Sequence, residues 1–136
     1  MANTACNLVA SYLTSLNATN PMCVAFGTTF SLGSSLLLYY EQDLNIDTVT
    51  IIPIPSNAPN KDGQRLSSSV QIRVKSTSRK TGVDTSQEFI NRLNRNSLGS
   101  KGIVYPRESI PITLGILEGG EKNIVVTHYT IKHVKA

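Results

Sequence analysis

The chain has 136 residues, 40% of them apolar and none of them Trp, which is enough for one domain with a single core and no need of covalent staples. Charged residues make up only 16%, and the polar share falls instead on Ser, Thr and Asn, the residues of loops and strand surfaces. The charge is split, −3 over residues 1–60 (Glu41, Asp43, Asp47, no Lys or Arg) and +7 over residues 61–136 (13 basic, 6 acidic), and no run reaches the roughly 18 apolar residues that a membrane-spanning helix needs.

Asn3 or Thr4 caps a first predicted helix, in which Ala5, Leu8, Val9, Leu13 and Leu16 recur at helical spacing with Tyr12 at the edge. Asn17 to Pro21 ends it, because a residue before Pro avoids the helical region. Met22 to Phe26 reads as a short strand, and the Gly-, Ser- and Thr-rich stretch from Gly27 to Ser35 as turns or a hairpin. Leu36 to Tyr40 is expected as strand, although periodicity alone does not separate it from buried helix. Thr48 to Ile54 is β-branched and reads as strand until Pro53 and Pro55 stop it.

Residues 56–68 have turn chemistry throughout and read as a long mobile arm. Ser69 to Ser76 then alternates strictly, with Val70, Ile72 and Val74 on one face and Gln71, Arg73 and Lys75 on the other. Side chains alternate across a strand, so this predicts a buried face and a basic, wetted one. Ser76 to Gly82 is a basic connector into a short helix over residues 84–98, where Thr85 and Glu88 fit a capping box, Phe89, Ile90 and Leu93 form a stripe, and Gly99 suits the C-cap. Pro106 and Pro111 bracket the approach to two β-rich runs, Ile110 to Glu118 and Asn123 to Val134, joined through Gly119-Gly120 as a hairpin. The whole is a single α+β domain, residues 1–136: one mostly antiparallel sheet, two helices packed on one face, and a C-terminal β-hairpin.

No catalytic, cofactor or metal constellation converges in the sequence, and none is expected. His128 and His133 are five apart on a strand, hence on opposite faces, with no Cys or acid to complete a metal set. Asp62-Gly63 is a turn without the acidic spacing of a calcium loop. The glycines form no phosphate cradle and the serines no nucleophile elbow. Cys6, on the apolar face of the first helix, and Cys23, at the start of the predicted strand, read as two buried free thiols in a reducing compartment, since no signal peptide precedes them.

The candidate binding surface is the basic face Arg73 and Lys75, continued by Arg79 and Lys80. Phosphate would satisfy it. So would the acidic Glu41, Asp43 and Asp47 of a neighbouring copy, because a head-to-tail ring joins two unlike patches of one chain. Asn60, Lys61, Asp62 and Arg65, on the arm, complete the candidate interface. A small nucleic-acid-binding α+β domain is the alternative that the basic half supports. Against it, the basic residues are scattered and no aromatic residues interleave with them.

The N-terminal amphipathic helix, Thr48-Val49-Thr50-Ile51-Ile52-Pro53, the polar arm, the strand Ser69-Val70-Gln71-Ile72-Arg73-Val74-Lys75-Ser76, the helix with Phe89-Ile90 and Leu93, and the closing hairpin together resemble the tail terminator and minor capsid (head–tail joining) proteins of long-tailed bacteriophages. In that family a strand reading roughly Val-Gln-Ile-Arg-Val-Arg-Ser precedes a helix, and here Lys75 stands where the second Arg does. The resemblance implies structural work in the virion tail or neck, after assembly in the host cytoplasm. It implies a self-assembled ring, commonly a hexamer, that caps the tail tube, ends its polymerisation and joins the tail to the head. The implied partners are the tail tube protein, a neck, head-completion or connector protein, and the sheath if the tail is contractile. DNA would pass through the lumen without specific binding, so most Lys and Arg are expected at interfaces or outside, and no membrane is involved. Another neck or tail-completion protein is the nearest alternative. Residues 56–67 and 27–35 are the segments expected to make strand-addition contacts.

Overall fold

The computed structural model describes residues 4–39, 47–54, 65–93, 96–97, 102–116 and 123–134. Helices α1 (Thr4–Thr14) and α2 (Pro21–Phe26) precede strands β1 (Leu36–Leu38), β2 (Thr48–Ile54) and β3 (Arg65–Ser76). Helix α3 (Arg79–Leu93) then leads to β4 (Asn96–Ser97), β5 (Gly102–Pro106), β6 (Ile112–Ile116) and β7 (Asn123–Val134).

The spine is the pair β3 and β7, antiparallel without a break from Arg65↔Val134 to Ser76↔Asn123. β2 lines the other side of β3, and β1 ends the sheet there, parallel to β2. The far side of β7 is shared in series: β5 covers Tyr129 to His133, and β6 covers Asn123 to Val126 with a bulge between Thr113 and Gly115. The order is β1-β2-β3-β7-β5-β4, with β6 on β7. Five of the six pairings among the described strands are antiparallel, so the fold is α+β with a mostly antiparallel sheet and a C-terminal strand pair. Pro53 sits inside β2, but β1 reaches only to Ile51, so the proline interrupts no ladder on that side.

All three helices lie to one side of the sheet. Val49 and Ile51 of β2, Val70 and Ile72 of β3, and Tyr129 and Ile131 of β7 point that way and are fully buried with Val9 and Leu13 of α1 and Phe89 and Leu93 of α3. α1 packs on β1 to β3, α3 packs on β3, β7 and β5, and α2 packs against α3.

Several expectations are corrected. The described residues form three helices, not two, because Met22 to Phe26 is α2 and not a strand. Pro21 opens this helix: Asn20, extended as a residue before proline must be, accepts the Met22 N–H at 3.0 Å, and Gly27 closes it in the left-handed region at φ 104°. Cys23 accordingly sits on a helix. α3 begins at Arg79, so Arg79 to Gly82 are its first turn and Thr85 is no cap but a fully buried side chain within it. Ser78 is the capping residue, its hydroxyl accepting the Thr81 N–H at 3.3 Å. α3 ends at Leu93 and Asn96–Ser97 form β4, so the predicted helical end at Leu98 fails. β3 starts at Arg65, which removes residues 65–68 from the expected arm. The rest of that arm, the Gly119-Gly120 turn, Gly99 and the Asn3 cap lie outside the described residues.

Candidate assembly surface

The predicted basic face is not one surface. Arg73 and Lys75 project from β3 to the side of the sheet away from the helices, whereas Arg79 and Lys80 lie on α3, on the opposite side. Nor is the face wet at its lower end. Lys75 is only 2% exposed, flanked in register by buried Thr48 on β2 and buried Ile124 on β7, while Arg73 is half-buried between Thr50 and Val126. β3 is a central strand buried on both faces here, and a buried ammonium is not available to a partner's surface.

Asp47 is spent inside the chain. Its carboxylate accepts the Ser76 hydroxyl at 2.9 Å and the Thr77 N–H at 3.2 Å, tying the start of β2 to the end of β3 just ahead of α3. Arg79 and Lys80 are exposed, and Lys80 meets Asp84 one turn on at 2.6 Å, which raises the Lys80 pKa. Arg65 occupies the first position of β3, opposite Val134. Glu41, Asp43, Asn60, Lys61 and Asp62 lie outside the described residues.

A second cluster was not legible beforehand. β5 and β6 run in the same direction along β7, and the ladder lapses at His128, between Pro106↔Tyr129 and Ile112↔Val126. Two neighbouring groups fill the gap. The Arg107 N–H donates to the His128 carbonyl at 2.9 Å, and the Glu108 carboxylate accepts the His128 N–H, a side chain replacing a missing strand carbonyl. The same oxygen lies 3.0 Å from His128 Nδ1, and Gln71 Nε2 lies 3.0 Å from His128 Nε2. With the amide so assigned, Gln71 donates to Nε2 and the ring proton sits on Nδ1, facing Glu108. The three side chains join β3, β7 and the β5–β6 link across the face away from the helices. The arrangement serves the ladder.

The same margin carries the exposed aliphatic residues. Ile103 on β5, Ile112 and Leu114 on β6, and Ile110 between the strands are 41%, 41%, 56% and 70% exposed. Ile103 and Ile112 oppose Lys132 and Val126 of β7, so both stand on the side away from the helices. β6 pairs only with β7 among the described strands, so its outer backbone edge has no partner strand among the described residues. Exposed Arg107 and Lys132 rim this strip, with Lys132 over the Tyr105 ring at 5.5 Å. Its signal in the sequence is the alternation Ile110, Ile112, Leu114, which on an edge strand turns apolar groups to solvent.

Cys6 and Cys23 are free and buried. Burial pushes the Cys6 thiol up to about 11 and raises Cys23 as well, against a lowering contact from the Phe30 backbone. Among the described residues no three His, Cys, Asp or Glu side chains gather as metal ligands, and no helix is long and apolar enough to cross a membrane. No family model, curated protein or solved structure matches the chain.

Proposed function

We propose that the chain is a structural virion subunit of the kind the sequence resembles: a tail terminator of a long-tailed bacteriophage. Copies of it form a ring that caps the tail tube, stops its growth and meets the neck on the other side. Its product is geometry rather than catalysis. The observation that carries this reading is the β6 edge, without a partner strand among the described residues and with aliphatic side chains exposed along it. An edge of this kind is a template for another strand, and a monomer in solution would be expected to blunt it with charge or a cover. The resemblance of residues 69–76 to the family's strand, and the arrangement of helix, sheet and closing strand pair around it, support the same reading.

On this reading the partners are other copies of the chain, the tail tube protein, a neck or connector protein, and the sheath in a contractile tail. DNA passes through the lumen without specific binding, since each phosphate contact would add salt-sensitive grip to a conduit. The test is addition of the purified chain to growing tail tubes, followed by electron microscopy. Tubes that stop lengthening and carry a ring of density at one end are the expected result. Unchanged growth with bare ends would overturn the proposal, and a steeply salt-dependent retention of DNA would favour a nucleic-acid-binding domain instead.

A further inference from the structure

We infer that the seam between α3 and β7 binds internal water, held by the hydroxyls of Ser86, Thr127 and Tyr129 with Thr85 on the same helical turn. The site lies inside one subunit and is independent of any contact between copies.

Four hydroxyl side chains belong to this seam, two on each element. Thr127 and Tyr129 of β7 pair with Ile72 and Val70 of β3 and share their side of the sheet, the helical one. Thr85 and Ser86 belong to α3, which packs on that side. All four side chains are fully buried, and none of their hydroxyl oxygens finds a hydrogen-bond partner. A Ser or Thr within a helix can bond the carbonyl of the preceding turn, and neither Thr85 nor Ser86 does so.

The register of the two elements brings these groups to one level. Only Thr77 and Ser78 separate β3 from α3, so the helix doubles back over the sheet. It therefore runs in the same sense as β7, which is antiparallel to β3. Gly82 fixes the register, because a Cβ there would meet Val125 Cγ2 at 3.1 Å. Ser86 follows about 6 Å further along the helix, and Thr127 about 6.8 Å further along β7. Burial raises the pKa of the Tyr129 hydroxyl, and Thr127 offsets part of that rise. The phenol oxygen thus sits towards Thr127, although the two make no hydrogen bond of ordinary geometry.

The chemistry selects the occupant. A buried hydroxyl without a partner costs free energy, and in folded proteins such groups bond ordered water where no protein atom serves. An internal water makes about three hydrogen bonds to groups of this kind. Ser86, Thr127 and Tyr129 supply them, each hydroxyl able to donate and to accept. The set contains no charged side chain, so an ion would be buried there without a counter-charge. Full burial closes the seam to larger solutes.

Oxygen-17 relaxation dispersion of the solvent counts waters held longer than the protein takes to tumble, and it tests the site directly. The comparison is wild type against the near-isosteric double variant Ser86→Ala, Thr127→Val, with urea unfolding to verify that both fold. The wild type is expected to hold at least one long-lived water that the variant lacks. Equal counts in the two folded proteins, or none in the wild type, would overturn the inference. A high-resolution crystal structure of the wild type supplies a test that needs no variant. Density bonded to Ser86 Oγ, Thr127 Oγ1 and Tyr129 Oη is the expected result. A dry seam, with these hydroxyls turned onto one another or onto backbone carbonyls, would overturn it.

Discussion

Glu108 completes a ladder that the backbone leaves unfinished, and its energetic weight follows from that. The carboxylate accepts both the His128 N–H and the ring Nδ1–H at a half-buried site, so its removal leaves two donors poorly satisfied. Glu108→Ala is expected to cost about 1–3 kcal/mol in urea unfolding. Glu108→Gln, which keeps a carbonyl acceptor, should cost clearly less, and equal losses in the two variants would contradict this role. Cys6 supplies a second test at the same scale. Burial holds its folded-state value at about 11, above the ordinary thiol value of 9.0, so between these the native state holds a proton that the unfolded chain has released. Its contribution is therefore fully present below pH 9 and declines as pH rises towards 11. The stability difference between wild type and Cys6→Ala should shrink across that window, and a constant difference would show that the thiol does not feel its burial.

At the scale of elements, what the sequence makes legible is whatever has a clean period. α1 announces itself through Ala5, Val9 and Leu13, and β2, β3 and β7 through β-branched alternation; all are found. α2 is hidden because its residues read equally as strand and its signals are caps, Asn20 with Pro21 before and Gly27 after. The true start of α3 is hidden because the residues that face the sheet are small. Gly82, Thr85 and Ser86 are buried there, yet in sequence such residues look like a linker. The reason for the glycine is close approach: a Cβ at position 82 would meet Val125 Cγ2 at 3.1 Å. Gly82→Val should thus overpack the α3–β7 contact and destabilise by about 1–3 kcal/mol, measured by urea unfolding. A variant as stable as the wild type would mean that α3 does not lie so tightly on β7.

At the scale of the molecule, the class of fold was readable and the surface was not. Alternation told that Arg73 and Lys75 share a face of β3, but not that β3 is flanked on both sides so that Lys75 is buried. Adjacency in sequence suggested that Arg79 and Lys80 continue that face, whereas the chain crosses to the helical side of the sheet between them. Strand order, which no local pattern encodes, decides which apolar alternation becomes an exposed edge, and it selects Ile110, Ile112 and Leu114.

On the proposed reading, this polypeptide completes itself by contact with its own copies. The most direct test is the mass of the purified chain in solution, followed by native mass spectrometry or sedimentation over a wide concentration range. A single closed species of an integral number of copies, giving way to smaller ones on dilution, is the predicted result. A 14.8 kDa monomer at every concentration would contradict it.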